Sequence, residues 1–278
     1  MAVPELANKL VLVTGAASGI GRECALAFAQ NGARLILFDL NESGLQSTAD
    51  KVRQLGVPCE YHIVDVGDET SVSQAARRVH ESHGALDVLV NNAGVAFLGS
   101  FLETPLAQWR RTLQVNLFGV VHGCRYFLPE MIKAGGARHV VNMASAAGLA
   151  PTFNMSAYAA SKHGVMGLSD SLALELSTSS VGVSVVCPGI INTPIVNPSP
   201  TNIGASITPQ QLERLSHFYN TKGAHPKVVA DAIVRAVQTA RGLVLVGPYA
   251  ALIYHLRRIS RALLARVLIA DSKKAGWI

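Results

Sequence analysis

The sequence predicts a doubly wound α/β fold, a single domain of about seven parallel strands with helices on both faces, and three observations carry that prediction. Short runs rich in Val, Ile and Leu alternate with helical patterns along the whole chain, as strands buried on both faces require. The first run ends in a glycine-rich turn and the second ends in an aspartate. At 278 residues, 49% hydrophobic and 15% charged, the chain can bury one large core.

KLVLVTG from Lys9 is the first strand. It runs into TGAASGIG, which sets Gly15, Gly19 and Gly21, with Ser18 and Ile20 among them, between strand and helix. Glycines there allow a tight turn and a close backbone approach, and the helix N-terminus beyond offers unpaired N–H groups to a pyrophosphate. The helix RECALAFAQNG follows, with Gly32 as its stop signal. RLILFD from Arg34 is the second strand. Its last residue, Asp39, stands 18 positions after Gly21, where a carboxylate can accept hydrogen bonds from both hydroxyls of an adenosine ribose. Loop and aspartate together make the sheet Rossmann-type and the cofactor a dinucleotide. A carboxylate repels a 2′-phosphate, Leu40 and Asn41 bring no arginine, and Ser18 is not basic, so NAD is expected over NADP, with Arg22 the nearby cation that speaks for the other choice.

EYHIVDV from Glu60, LDVLVNNAG from Leu86, HVVNMAS from His139, GVSVVCPG from Gly182 and GLVLVG from Gly242 supply the remaining strands, and SVSQAARRVHESHG, closing at Gly84, is one of the helices between them. Before the sixth strand, SAYAASKHG puts Tyr158 and Lys162 four positions apart, on one helix face at about 5–6 Å. Free tyrosine, with a pKa of about 10, is a poor base near neutrality, but a phenol beside a fixed ammonium is easier to ionise. Alone, such a pair is an ordinary feature of a helix surface; behind a cofactor loop it predicts an acid/base centre. His163 points to another side of the helix and reads as structural.

Charge and cysteine content exclude other classes. Of the net charge of +6, residues 249–278 carry +5 through Arg257, Arg258, Arg261, Arg266, Lys273 and Lys274 against Asp271. The body is near neutral and has no basic groove with interleaved aromatics for nucleic acid. Cys24, Cys59, Cys124 and Cys187 are scattered, without C-x-x-C pairs or histidines at ligand spacing, so buried free thiols and no metal are expected. MAVPELANKL lacks the basic region and apolar run of a signal peptide, so a cytoplasmic location is expected.

TGAASGIG, the NNAG stretch at 91–94 and the Tyr158/Lys162 pair together make the chain resemble the short-chain dehydrogenase/reductase family over residues 8–247. The resemblance implies an alcohol:NAD oxidoreductase. It assigns the cofactor loop to Gly15, Ser18, Gly19, Ile20 and Gly21 and the ribose contact to Asp39 beside Leu40. Asp65 and Val66 match the pair that borders the adenine, and Asn92, Ala93 and Gly94 match the stretch supporting the central sheet next to the cofactor. Asn116, in LQVNLFG, matches an asparagine that holds a water relay. Ser145, in NMASAAG, stands thirteen residues before Tyr158 and is expected to hydrogen-bond the substrate oxygen. Tyr158 is then the general acid/base, and Lys162 both favours its phenolate and grips the nicotinamide ribose. From CPGIINTP, Pro188, Gly189, Ile191 and Thr193 match residues at the nicotinamide end. Relatives commonly form homodimers or homotetramers through helices around 103–130 and 156–177, which implies the same here.

Substrate recognition is expected in a lid over about 193–226, inside a catalytic domain of residues 1–248. Its TPQQLERLSHFYN reads as a short amphipathic helix that could move. Ile195, Val196, Ile203, Leu212, Leu215, Phe218 and Tyr219, with Phe97, Leu98, Leu149, Phe153 and Met155, suggest an apolar pocket for a lipophilic secondary alcohol or ketone, or else simply pack the lid on the body. Two rivals stand beside this reading: an NADPH-dependent reductase of fatty-acyl or polyketide-type ketones, and a non-catalytic NAD-sensing scaffold, which the full set of Asn116, Ser145, Tyr158 and Lys162 disfavours. Residues 249–278 form a basic tail in which Leu252, Leu256, Ile259, Leu263 and Val267 recur at three- and four-residue steps, widened by Ile253, Leu264 and Leu268. One amphipathic helix is expected. Its arginines argue against spanning a bilayer, which leaves two occupants for the stripe: the inner surface of an anionic membrane, through residues 249–270, or protein packing.

Overall fold

The computed structural model describes residues 1–196 and 199–274, with the backbone alone described at Val196 and Lys274. One sheet holds the seven strands read from the sequence: β1 (Leu10–Thr14), β2 (Arg34–Asp39), β3 (Cys59–Ile63), β4 (Val88–Asn91), β5 (Arg138–Met143), β6 (Val181–Pro188) and β7 (Leu243–Val246). Between them lie α1 (Gly19–Gln30), α2 (Glu42–Gln54), α3 (Glu69–His83), α4 (Leu106–Leu113), α5 (Gly119–Ala134), α6 (Ser156–Glu175), α7 (Pro209–Lys222) and α8 (Pro226–Thr239); α9 (Ala250–Ile259) and α10 (Arg261–Lys274) follow β7. The strands are parallel, in the order β3-β2-β1-β4-β5-β6-β7. The order reverses between β1 and β4, where Leu12 pairs with Leu89, and the crevice outside the strand ends at such a reversal is where this architecture receives ligands.

Side chains alternate between two apolar layers. Val11, Val13, Leu35 and Leu37 meet Phe28, Leu45 and Ile233 from α1, α2 and α8. Leu10, Leu12, Ile36 and Phe38 meet Val79, Phe127 and Val165 from α3, α5 and α6. Phe28, Phe38 and Phe127 are fully buried, each contributing about 1.5–3 kcal/mol relative to exposure. β4 and β6 are buried at every residue, which is why they read as unbroken apolar runs, whereas edge strand β3 exposes Glu60 and Ile63. All four cysteines are free and buried. Local signals set the helix ends: Asn41 caps α2, Asp68 caps α3, Thr208 and Gln211 form a capping box on α7, and Gly84 ends α3 at φ +73°.

The tail departs from the single helix expected. Ser260 is extended, at φ −157° and ψ 117°, and its Oγ accepts from the Leu263 N–H at 3.1 Å. A serine so placed ends one helix and caps the next, so α9 and α10 are separate and the apolar stripe is split. Ile253 and Tyr254 pack on the layer beneath β7, and Leu264 is buried. Residues 275–278, the end of the expected tail, lie outside the described residues.

Candidate active site

The cleft is assembled at the C-terminal ends of the strands. The Thr14 hydroxyl, closing β1, accepts from the N–H groups of Asn92 and Ala93 at 3.0 Å each, and Asn92 Nδ2 donates back to the Thr14 carbonyl at 2.9 Å. These bonds join the loop after β4 to the loop after β1. Gly15 turns at φ +67°, where a Cβ would stand 2.8 Å from Ala93 Cα; a Cβ at Gly21 would stand 2.0 Å from the Gly15 carbonyl oxygen. Only glycine fits at either position. Ser18 precedes α1 without capping it, so the first-turn amides, including those of Gly19 and Ile20, meet no side-chain cap, in contrast to α2 and α3. A Cβ on Gly19 would lie 3.5 Å from Thr193, which brings the lid's first residue over the loop.

Asp39 ends β2 at the rim of this cleft. Its Oδ2 accepts from Ala17 N–H and its Oδ1 from Asn41 N–H, both at 3.0 Å, and each oxygen retains a lone pair for a ligand hydroxyl. Leu40 beside it is exposed. Arg22 donates to the Ala17 carbonyl and, through Nε, to Thr48 Oγ1 at 3.2 Å. Asp65 accepts from Gly67 N–H at 2.9 Å and pairs with Arg111 at 3.0 Å, while Val66 is buried. At the other end, Pro188 closes β6, Gly189 N–H donates to the Val246 carbonyl at 2.8 Å, and Ile191 bridges to Ala224.

The candidate catalytic side chains meet where β5, α6 and the segment between α4 and α5 converge. Ser145 opens the short 3-10 turn Ala146–Gly148 by accepting from Ala147 N–H at 3.1 Å, and its hydroxyl lies near enough to the Tyr158 phenol to favour the phenolate. Lys162 Nζ lies 5.6 Å from the centre of the Tyr158 ring and donates to the Met143 carbonyl at 2.8 Å. A Cβ on Gly94 would lie 3.4 Å from Asn116 Oδ1 and 3.7 Å from Lys162 Nζ. Asn116 is fully buried in the π-helical turn Gln114–Phe118, a widened geometry frequent at functional sites. Its Oδ1 accepts from Val95 N–H at 2.8 Å, and its Nδ2 donates to the Val95 carbonyl at 2.9 Å and to Ser161 Oγ at 3.0 Å. Ser161 donates in turn to the Tyr158 carbonyl at 2.7 Å, so Asn116 and Tyr158 belong to one hydrogen-bonded unit.

Electrostatics runs against the expectation of an acidified phenol. Tyr158 is half-buried in area, yet its hydroxyl lies deep enough that burial dominates, pushing its pKa up to about 12; the Ser145 hydroxyl lowers it in part and nearby Tyr219 raises it. Burial lowers Lys162 to about 8. Desolvation penalises both charged forms, and the ammonium is engaged by the Met143 carbonyl rather than the phenol. On its own the chain holds this tyrosine neutral.

The lid segment, with 3-10 turns at Pro194–Val196 and Pro200–Asn202 and then α7, is tied to the loop after β4. Leu98 bridges to Ile203, and the Glu103 carboxylate accepts from Ser206 N–H at 2.8 Å, Ser206 Oγ at 2.5 Å and Ser100 Oγ at 3.0 Å. Phe97, Leu98 and Leu149 are buried; Ile203, Leu212, Leu215, Tyr219 and Met155 are half-buried; Phe153, Ile195 and Phe218 sit exposed at the edge. The Val196 side chain lies outside the described residues. Three participants escape sequence reasoning. Tyr219 reads there as an apolar lid residue, although its phenol is close enough to act on Tyr158. Ser161 and the Met143 carbonyl leave no signal at all, since a helix serine and a backbone oxygen are everywhere.

Comparison with known proteins adds independent findings. Residues 9–203 match the family model described as short chain dehydrogenase. The chain is 40% identical over 257 residues to "Probable oxidoreductase EphD" of Mycobacterium tuberculosis, covering 91% of this chain and 43% of that protein, so it spans less than half the length of this curated relative. It is 36% identical over 216 residues to "Estradiol 17-beta-dehydrogenase 11" of Rattus norvegicus, covering 76% of this chain and 72% of that one. A short chain dehydrogenase/reductase from Burkholderia phymatum, solved in complex with NAD, superimposes with a TM-score of 0.85 at 32% identity, over 93% of this chain and 96% of that one. A metagenomic short-chain oxidoreductase solved with NADP gives a TM-score of 0.70 at 30% identity, over 86% and 96%.

Proposed function

The chain belongs to the short-chain dehydrogenase/reductase family and is an oxidoreductase, and we propose that it interconverts a lipophilic secondary alcohol and its ketone with NAD(H), Tyr158 acting as general acid/base. The observation that carries the reading is the gathering of Ser145, Tyr158, Lys162 and Asn116 at the strand ends beside a glycine loop whose helix lacks a side-chain cap. A bound nicotinamide dinucleotide supplies hydride acceptance and return. Everything else is the work of this chain. Gly15, Ser18, Gly19, Ile20 and Gly21 would receive the pyrophosphate at the start of α1, Asp39 and Leu40 the adenosine ribose, and Asp65 and Val66 the adenine. Asn92, Ala93 and Gly94, with Pro188, Gly189, Ile191 and Thr193, would enclose the nicotinamide end.

Ser145 donates to the substrate oxygen and steadies the charge that develops there. Tyr158 takes the hydroxyl proton in oxidation and returns it in reduction. A phenol held near 12 with Lys162 already beside it would need further positive charge to serve at ordinary pH, the charge an oxidised nicotinamide would bring, and Lys162 would hold the nicotinamide ribose. Both side-chain donors of Asn116 are engaged by Val95 and Ser161, so this residue holds the site together.

NAD is favoured over NADP because Asp39 faces the ribose position and Arg22, the nearby cation, is committed to Ala17 and Thr48. A lipophilic substrate suits a lid with no lysine or arginine from Thr193 to Ile207, and a relative named for estradiol fits the same class. The test is NADH absorbance with secondary alcohols graded in chain length and ring count, alongside titration of both cofactors. Tyr158→Phe is expected to lower kcat/KM by about 100-fold or more while still binding NAD. Unchanged turnover in that variant sinks the mechanism, and tighter binding of NADP overturns the cofactor choice.

A further inference from the structure

The last two helices present an apolar and basic face that the rest of the described chain does not cover. Ile253, Tyr254 and Leu264 turn inward. Leu252, Ile259, Leu263, Val267 and Ile269 turn outward, with Leu252 63% and Ile259 78% exposed. Leu252 and Ile259 are two turns apart on α9, and Leu263 and Val267 one turn apart on α10, so each pair shares a helix face. Exposed Arg258, Arg261, Arg266 and Lys273 stand among them. Among the described residues, the side chains of Arg261, Arg266 and Lys273 have no hydrogen-bond or ion-pair partner. Beside this face an open recess of about 280 Å³ is lined by Gly148, Leu149, Tyr254, Arg257, Arg258 and Arg261, three guanidinium groups and no carboxylate.

We propose that α9 and α10 dock the protein on an anionic lipid bilayer, the outward apolar side chains entering the acyl boundary while the arginines pair with headgroup phosphates. The charge of the segment selects this occupant: residues 249–278 carry +5 of the chain's +6, the complement of an anionic surface. A second copy of the chain fits poorly, because a two-fold contact through this face would set Arg258, Arg261 and Arg266 against their own counterparts, with Asp271 the single acid in the segment. Insertion across the bilayer is not the mode either, since among the described residues no helix is long and apolar enough to cross a membrane. Arg257 works on the inner side. It hydrogen-bonds the Leu149 carbonyl and meets His163 Nε2 at 2.7 Å, fastening α9 to the turn that follows Ser145 and to α6. The docked face is thus continuous with the wall of the cleft, which suits a lipophilic substrate, although docking itself does not depend on that assignment.

Flotation of the full chain with phosphatidylcholine vesicles, with and without phosphatidylglycerol, tests the docking, with light-scattering mass and oxidoreductase turnover measured in parallel. The full chain is expected to float with the anionic vesicles, to be released by high salt, and to stay behind with phosphatidylcholine alone. Arg261→Glu with Arg266→Glu is expected to lower partitioning at least about tenfold, each basic side chain at an anionic surface being worth about fivefold. Leu263→Asp with Val267→Asp is expected to abolish flotation, and both pairs are expected to keep the parent's turnover and melting temperature. No flotation with anionic vesicles, or flotation of both variants equal to the parent's, overturns the proposal. So does a fall in oligomeric mass in either variant, which would give the face to a second copy.

Discussion

Lys162 is 3% exposed, and a backbone carbonyl, not a carboxylate, accepts its hydrogen bond. An ammonium buried without a counter-charge destabilises a fold, and the depressed pKa is the sign of it. The folded pKa of about 8 lies below the ordinary 10.5, so between those values the unfolded chain binds more protons and stability rises with pH; below 8 the full penalty applies. Replacing the ammonium with an apolar chain of similar length is therefore expected to relieve strain while destroying function. Cofactor-free Lys162→Met should melt at or above the parent at pH 7, by on the order of 1–3 kcal/mol less the lost bond to Met143, and the gap should close as pH rises from 8 toward 10.5. Thermal melts across that range check it; a variant well below the parent at pH 7 contradicts it. The sequence makes the Tyr158/Lys162 spacing plain because helical periodicity is local. It cannot convey how deeply α6 is buried, and burial reverses the expected direction for the phenol.

Elements were legible wherever the signal was local and repeated. All seven strands coincide with apolar runs, and α7 with its capping box coincides with the predicted lid helix. The tail was misread at one residue, because an apolar stripe at three- and four-residue steps continues through Ser260 while the backbone there does not. What ties the lid down was not legible at all. Glu103 is an unremarkable acid in the sequence, 103 positions from Ser206, yet its carboxylate joins the loop after β4 to the segment leading into α7. Loss of that carboxylate should loosen the lid without touching the candidate catalytic groups. Glu103→Ala is expected to raise substrate KM several-fold with kcat changed less than about twofold, and to speed proteolysis between 199 and 208. Steady-state kinetics and limited proteolysis read both effects; an unchanged KM with unchanged cleavage would show the contact to be incidental.

At the scale of the molecule, the cleft draws on both halves of the sheet. The glycine loop and Asp39 come from β1 and β2, Ser145 and Tyr158 from the region after β5, and Thr193 from the segment after β6 that closes over Gly19. A dinucleotide held across this span as proposed would bind the folded chain alone, because Asp39, the α1 amides and Thr193 are far apart in sequence and meet only when the sheet is complete. Binding must then stabilise the whole fold rather than one loop. At a hundredfold excess over Kd the gain is about 2.7 kcal/mol, which for a chain of this size is a rise in Tm of about 5 °C. NAD should produce that rise as one cooperative transition and slow proteolysis of the lid in the same preparation. In Asp39→Ala the rise with NAD should shrink while that with NADP should not, if the carboxylate serves the ribose of NAD and opposes the 2′-phosphate of NADP as proposed. Calorimetry with each cofactor reads the result. A split transition, in which part of the chain melts at its cofactor-free temperature, would mean that the two halves of the cleft do not act as one body and that the lid contributes nothing to holding the dinucleotide.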